Sequence, residues 1–249
     1  SMSATDGRLR IGVLVLDGCM LSSIASATDC LRVAQTLAHI RAPNSPLRME
    51  TVLFGARGQQ RIHTSTGIEV GGLLPEAPDD LDLVLIPGIM HNSAHDLGVR
   101  VQAMAPEMEL LRKLHLRGVG IAGTCSGGYL LAESGLLDGH RATAHWATES
   151  HRRQAYPQIT WVANTRYVVD GHVASTSGIS ASVITRSYGW PRSTAATSSA
   201  SAPGAPSMVL AAIRQPALVP RLLIQALCLP AAGHDDALST MLAPLRRLQ

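Results

Sequence analysis

Residues 123–128 read Gly-Thr-Cys-Ser-Gly-Gly between two apolar runs, and Cys125 is the residue best placed to do chemistry. The run 118–122 (GVGIA) has strand character and 129–133 (YLLAE) has helix character, so Cys125 falls where a strand gives way to a helix. A thiol there is presented at the carboxyl edge of a sheet, beside the unpaired N–H groups of a helix start, which favour its thiolate. Flanking glycines suit a turn too tight for a Cβ, as in a nucleophile elbow. From local pattern alone a buried structural cysteine is the alternative. His145 lies at a strand end, where a hydrogen-bonded structural histidine competes with a partner for the thiol. His91 and His95 are four apart but follow a loop signal without a clear third ligand, so no metal site is expected. Asp79, Asp80 and Asp82 read as a solvated turn, and Cys19 and Cys30 as packing residues.

The surrounding elements must hold that cysteine at a sheet edge. Residues 9–16 (LRIGVLVL), 49–55, 81–86 and 118–121 read as buried strands, with apolar runs suited to burial on both faces. Residues 24–39 and 104–117 carry apolar positions at helical spacing, with Pro106 tolerated in a first turn. Residues 61–70 read as a small hairpin, and 141–145, 159–163 and 167–174 as short strands, with a helix starting at 179–185. Strands alternating with helices predict an α/β fold, a mostly parallel central sheet covered on both faces. Ligands bind such sheets beyond the strand carboxyl ends, the edge that carries Gly88 and Cys125.

The 249 residues suffice for one large core, and 46% apolar content excludes a disordered polypeptide. No apolar run is long enough to span a bilayer, and the first residues carry no secretory signal pattern, so a cytoplasmic protein with no membrane partner is expected. Four cysteines without paired spacing fit a reducing compartment. The net charge is +3, with Lys113 the sole lysine among 21 basic residues; the short basic end at 245–249 is read as a solvated helix end rather than a DNA-binding patch. Residues 191–207 are rich in Ala, Ser, Thr and Pro and read as a linker. The organisation expected is therefore a domain at 1–190, the linker at 191–207 and a helical appendage or truncated linker region at 208–249.

The segment 123–146 (GTCSGGYLLAESGLLDGHRATAHW) resembles the ThiJ/PfpI superfamily, which has a class I glutamine amidotransferase-like, flavodoxin-like three-layer sandwich. Residues 18–35, LIPG at 85–88, Tyr156-Pro157 and 169–181 (VDGHVASTSGISA) support it, so the similarity covers residues 9 to about 182. The branch it resembles is the amino-terminal sensor domain of AraC-type regulators (the GlxA-like group), together with the isonitrile hydratases. The resemblance implies that Cys125 is the elbow cysteine, that His145 lies near it, and that the Gly88 and Ile89 N–H groups form an oxyanion-hole-like nest. Ile89 replaces a usual second glycine, and Ser126 stands where hydratase-like members tend to have Thr. It also implies a pocket lined by Ser23, Gly88, Ile89, Ser126 and Gly127, with no cofactor.

Two departures accompany it. The carboxylate that touches the cysteine in catalytic and redox-sensing members is replaced at the corresponding position by Ser23, leaving Asp17 as the compensating group on the same loop. The sequence after residue 190 is too short for the two helix-turn-helix units of such regulators, so contact with DNA is expected only through a domain absent from this chain. The expected function is ligand or redox sensing, with a homodimer implied by the family. The alternative is a cysteine-dependent hydratase or hydrolase of the isonitrile hydratase or glyoxalase type, using Cys125, His145, Ser126 and Asp17. A structural homodimer module is the third class.

Overall fold

The computed structural model describes residues 8–178 except 42, 45–47, 164 and 166. The expected helix at 179–185, the linker at 191–207 and the appendage at 208–249 lie outside the described residues. In chain order the elements are β1 (Arg8–Leu14), α1 (Leu21–Arg41), β2 (Arg48–Phe54), β3 (Arg61–His63), β4 (Glu69–Gly71), β5 (Leu83–Ile86), α2 (Ala94–Gln102), α3 (Ala105–Leu116), β6 (Gly120–Thr124), α4 (Gly127–Glu133), β7 (Arg141–Ala142), α5 (Glu149–Ala155), β8 (Thr160–Trp161), β9 (Tyr167–Asp170) and β10 (Val173–Thr176). A single 3-10 turn, Trp146–Thr148, leads into α5.

Six strands form one sheet in the order β2-β1-β5-β6-β10-β9. All neighbouring pairs are parallel except β9, which closes the edge antiparallel to β10. The α/β fold with a mostly parallel sheet is thus present. One sheet face packs Ile11, Val13, Leu83, Leu85, Ala122 and Ala174 against Ala27 and Leu31 of α1. The other packs Leu14, Val84, Ile86 and Ile121 against Leu97, Val101, Leu111, Leu114, Leu130 and Leu131 of α2, α3 and α4. Each fully buried leucine contributes about 1.5–3 kcal/mol, so helices of seven to twelve residues dock stably although they would not form alone. Glycine at residue 12 leaves room for the Phe54 ring of β2: a Cβ there would sit 2.5 Å from it.

Two helices fall in stretches assigned no element from sequence. Residues 94–102, which include His95, form α2. Its start is a reciprocal cap: Ser93 Oγ accepts from Asp96 N at 3.1 Å, and Asp96 Oδ2 accepts from Asn92 N at 2.9 Å. His91 precedes this cap while His95 stands exposed inside the helix, so the two do not share a helical face. Residues 149–155 form α5, docked through buried Arg152. The aspartates before β5 are also more than solvated: Asp80 pairs with Arg8 and Arg10, Asp82 accepts from Arg10 N, and Asp79 pairs with Arg117.

Candidate functional site

The site is built at the carboxyl ends of β5, β6 and β10. Register pairs Ile86 with Gly123, and Gly123 with Ser175, so the Pro87-Gly88-Ile89 turn, the Cys125 turn and the Thr176–Gly178 segment leave the sheet side by side. Cys125 has φ of +50°, the sole non-glycine residue with positive φ among the described residues. A side chain in that left-handed region costs about 1–2 kcal/mol, which the surrounding structure must offset. The bordering glycines explain how the turn closes. A Cβ on Gly127 would lie 2.5 Å from Pro87 O and 2.7 Å from Ile86 O, and one on Gly123 would lie 2.8 Å from Gly128 Cα. Cys125 itself is half-buried, and its N–H donates to Thr176 Oγ1 across 3.4 Å.

At Gly88 and Ile89, where the resemblance implies a nest, both backbone donors are engaged. Gly88 N donates to Ser23 Oγ at 3.0 Å, and Ile89 N donates to Ser126 Oγ at 2.8 Å. The same Ser126 hydroxyl donates its proton to Ile89 O at 2.8 Å. Both serines are buried, as are Gly88 and Ile89. The two hydroxyls therefore staple the Pro-Gly turn to α1 on one side and to the elbow on the other. These two N–H groups therefore already have acceptors, which an oxyanion would have to displace to use them.

Asp17 is exposed, and its Oδ1 accepts the His63 N–H at 3.0 Å, so the carboxylate caps β3. Gly18 N donates to His63 O and Ser65 N to Cys19 O, which fastens the whole first loop to the hairpin. Ser23 does not replace a carboxylate chemically: its oxygen accepts a backbone hydrogen bond and carries no charge.

His145 lies where the chain leaves β7 for the 3-10 turn. Its carbonyl accepts from Arg152 Nη1 at 2.7 Å, Thr148 Oγ1 at 2.9 Å and Thr148 N at 3.2 Å, while its Nδ1 accepts the Ala147 N–H at 3.3 Å. Burial, then the positive potentials of His91 and Arg152, hold its imidazole below the usual histidine value. His91 in turn places Nδ1 2.9 Å from Ile89 O, which puts it on the elbow side of the sheet edge. Among the described residues no cluster of three His, Cys, Asp or Glu side chains is placed to hold a metal ion. Cys19 is fully buried with its thiol pushed up by desolvation, while Cys30 on α1 is partly exposed.

Sequence reasoning missed Arg152. Among the described residues it is the largest fully buried side chain, with a relative exposure of 1%, and its guanidinium lies 5.2 Å from the Trp161 ring centroid. Nothing local in the polar run 149–154 (ESHRRQ) marks which arginine turns inward.

The sequence pattern of the DJ-1/PfpI family matches residues 44–184. The HTH-type transcriptional regulator CdhR of Pseudomonas aeruginosa is 32% identical over 174 residues, which cover 68% of this chain and 46% of CdhR. The HTH-type transcriptional regulator GlxA of Rhizobium meliloti is 31% identical over 171 residues, covering 68% of this chain and 48% of GlxA. The chain thus spans about half the length of the curated relatives it matches. Among solved structures, an AraC family transcriptional regulator from Pseudomonas putida superposes with a TM-score of 0.54 at 19% identity, over 69% of this chain and 84% of that one. DJ-1beta of Drosophila melanogaster gives 0.52 at 20% identity, over 70% and 84%, a likeness of fold. With a matched segment spanning more than half its length, the chain belongs to the DJ-1/PfpI family.

Proposed function

We propose that this chain is a ligand-sensing domain of the kind carried by AraC-type transcription regulators, and that it signals by binding without turnover. The observation that carries the reading is the pair of serine hydroxyls seated on the Gly88 and Ile89 N–H groups. Acyl-transfer or hydration chemistry at Cys125 needs free donors for the developing oxyanion and an acid–base group for water. Here the donors are engaged, Ser23 stands where the resemblance puts a carboxylate, and Asp17 caps a strand instead. The similarity to CdhR and GlxA supports the regulator context. In this reading the pocket faces Cys125, Ser126 and His145, the working form is a cytoplasmic homodimer, residues 1–190 form the sensor unit, and DNA is contacted through a separate helix-turn-helix domain. Among the described residues no helix is long and apolar enough to cross a membrane.

The test is steady-state turnover of methylglyoxal and an aryl isonitrile by the chain and its Cys125→Ala variant, alongside a thermal-shift screen against a metabolite library. The expected result is no Cys125-dependent turnover, with at least one metabolite raising the melting temperature of the parent. Turnover abolished by Cys125→Ala would overturn the sensor reading in favour of a cysteine-dependent hydratase or hydrolase.

A further inference from the structure

Between α2, α5 and the end of α4 lies an open cleft of about 450 Å³, a volume in the range of small-molecule sites. None of the residues at the Cys125 turn or the Pro-Gly turn lines it. The two outer helices approach across Gly98, where a Cβ would stand 3.3 Å from His151 Cε1. Two carboxylates line the cleft, Glu133 at the last position of α4 and Asp138 in the turn that follows. Each is met by a neutral donor: Tyr156 Oη donates to Glu133 Oε2 at 2.7 Å, and Gln158 Nε2 donates to Asp138 Oδ1 at 3.1 Å. A carboxylate accepts through both oxygens, so each keeps capacity for a further donor.

No lysine or arginine lines the cleft. The arginines on the neighbouring helices bond elsewhere: Arg100 to Asp96, Arg112 to Glu109, Arg153 to Glu149, and Arg152 to the His145 carbonyl. The two negative charges are therefore left without a cationic partner among the described residues. Val99, Ala132 and Ala155 add apolar wall, and Val99 is 54% exposed. Among the described residues no group of three His, Cys, Asp or Glu side chains is placed to hold a metal ion, so an organic cation suits the cleft better than a metal.

We propose that this cleft is a second ligand site, taking a small organic cation with its charged nitrogen against Glu133 and Asp138 and its carbon skeleton against Val99 and Ala155. The site shares no residue with the elbow, so it stands or falls apart from the sensor reading.

The experiment follows backbone amide shifts of the full chain by NMR during titration with putrescine, at about pH 8, where an ordinary histidine is neutral. The uncharged analogue 1,4-butanediol is the control. Glu133→Gln keeps an acceptor for the Tyr156 hydroxyl, and Asp138→Asn keeps one for Gln158, while both remove charge. Putrescine is expected to give saturable shifts within residues 98–102, 132–138 and 155–158, the diol none, and the double variant is expected to bind at least about fivefold more weakly. Non-saturating shifts, equal shifts with the diol, shifts confined to residues 86–89 and 123–127, or equal affinity in the double variant would each overturn the proposal. If the double variant does not fold, Asp138→Asn decides, because Asp138 is exposed: about twofold weaker binding is expected, and affinity equal to the parent overturns it.

Discussion

Ser126→Ala isolates the staple that closes the site. The hydroxyl accepts the Ile89 N–H and donates to the Ile89 carbonyl, both at 2.8 Å. Ile89 has a relative exposure of 2%, so water does not replace the lost partner. The carbonyl keeps His91 Nδ1 at 2.9 Å, but no other acceptor is recorded for the N–H. The cost is therefore that of one buried, unsatisfied amide, about 1–3 kcal/mol, with little from the carbonyl. A domain of this size loses about 2–4 °C of melting temperature per kcal/mol, so a central cost of about 2 kcal/mol lowers it by about 4–8 °C. Ser126→Thr keeps the hydroxyl and separates the hydrogen bond from the loss of bulk. Thermal unfolding followed by circular dichroism supplies the shift, and amide exchange at Ile89 supplies its location. A melting temperature within about 1 °C of the parent, with Ile89 exchange unchanged, would mean that the hydroxyl does not hold this amide, and the argument for an occupied nest would fall with it.

Two further outcomes follow from the same geometry. Gly127→Ala drives a methyl to 2.5 Å from Pro87 O, a backbone atom that moves only with the whole turn; a loss of about 3 kcal/mol, or failure to fold, is expected in urea denaturation, and a loss under about 0.5 kcal/mol would contradict the close approach. Stability against pH should form a plateau bounded on both sides. His115 and His145 are held low, chiefly by burial, so the unfolded chain binds more protons below the ordinary histidine value and stability falls as pH drops through it. Tyr129 and Tyr156 are held high, first by burial and for Tyr156 also by its 2.7 Å bond to Glu133, so their contribution is complete below about pH 10 and declines above it. Each such group contributes a limiting slope of about 1.4 kcal/mol per pH unit in denaturant midpoints; Tyr156→Phe should flatten the alkaline limb, and an unchanged limb would remove Tyr156 from the account.

The architecture was legible where the chain repeats a local pattern. Strands read as buried on both faces became the parallel strands β1, β5 and β6, and the 61–70 segment became the β3–β4 hairpin. The tight turn at Cys125 was legible because a left-handed residue with a close neighbouring backbone demands glycines at fixed offsets, and Gly123 and Gly127 supply them. α2 carries a local signal: Ser93 three residues before Asp96 is a cap, with Leu97 and Val101 buried beyond it, yet at nine residues with few apolar positions its periodicity is short. α5 carries no comparable signal, since one turn of it is anchored by an arginine that turns inward.

What no local pattern could reveal is pairing across the fold. Ser23 meets Gly88 from 65 residues away and Ser126 meets Ile89 from 37, so neither serine announces in sequence that it will cover a backbone donor. The same two staples give the retained elbow its meaning. Holding Cys125 at φ of +50° costs about 1–2 kcal/mol and requires glycine where any Cβ would collide with backbone. The strained Cys125 backbone thus sits beside two N–H groups that already have hydroxyl acceptors. On the proposed sensor reading, an acceptor entering beside Cys125 has to displace one of these hydroxyls, because a released amide must be satisfied in its place. Such an exchange would act where Ser23 of α1 and Ser126, the cap of α4, are joined through the Pro-Gly turn, so loss of either hydroxyl is the perturbation that tests it.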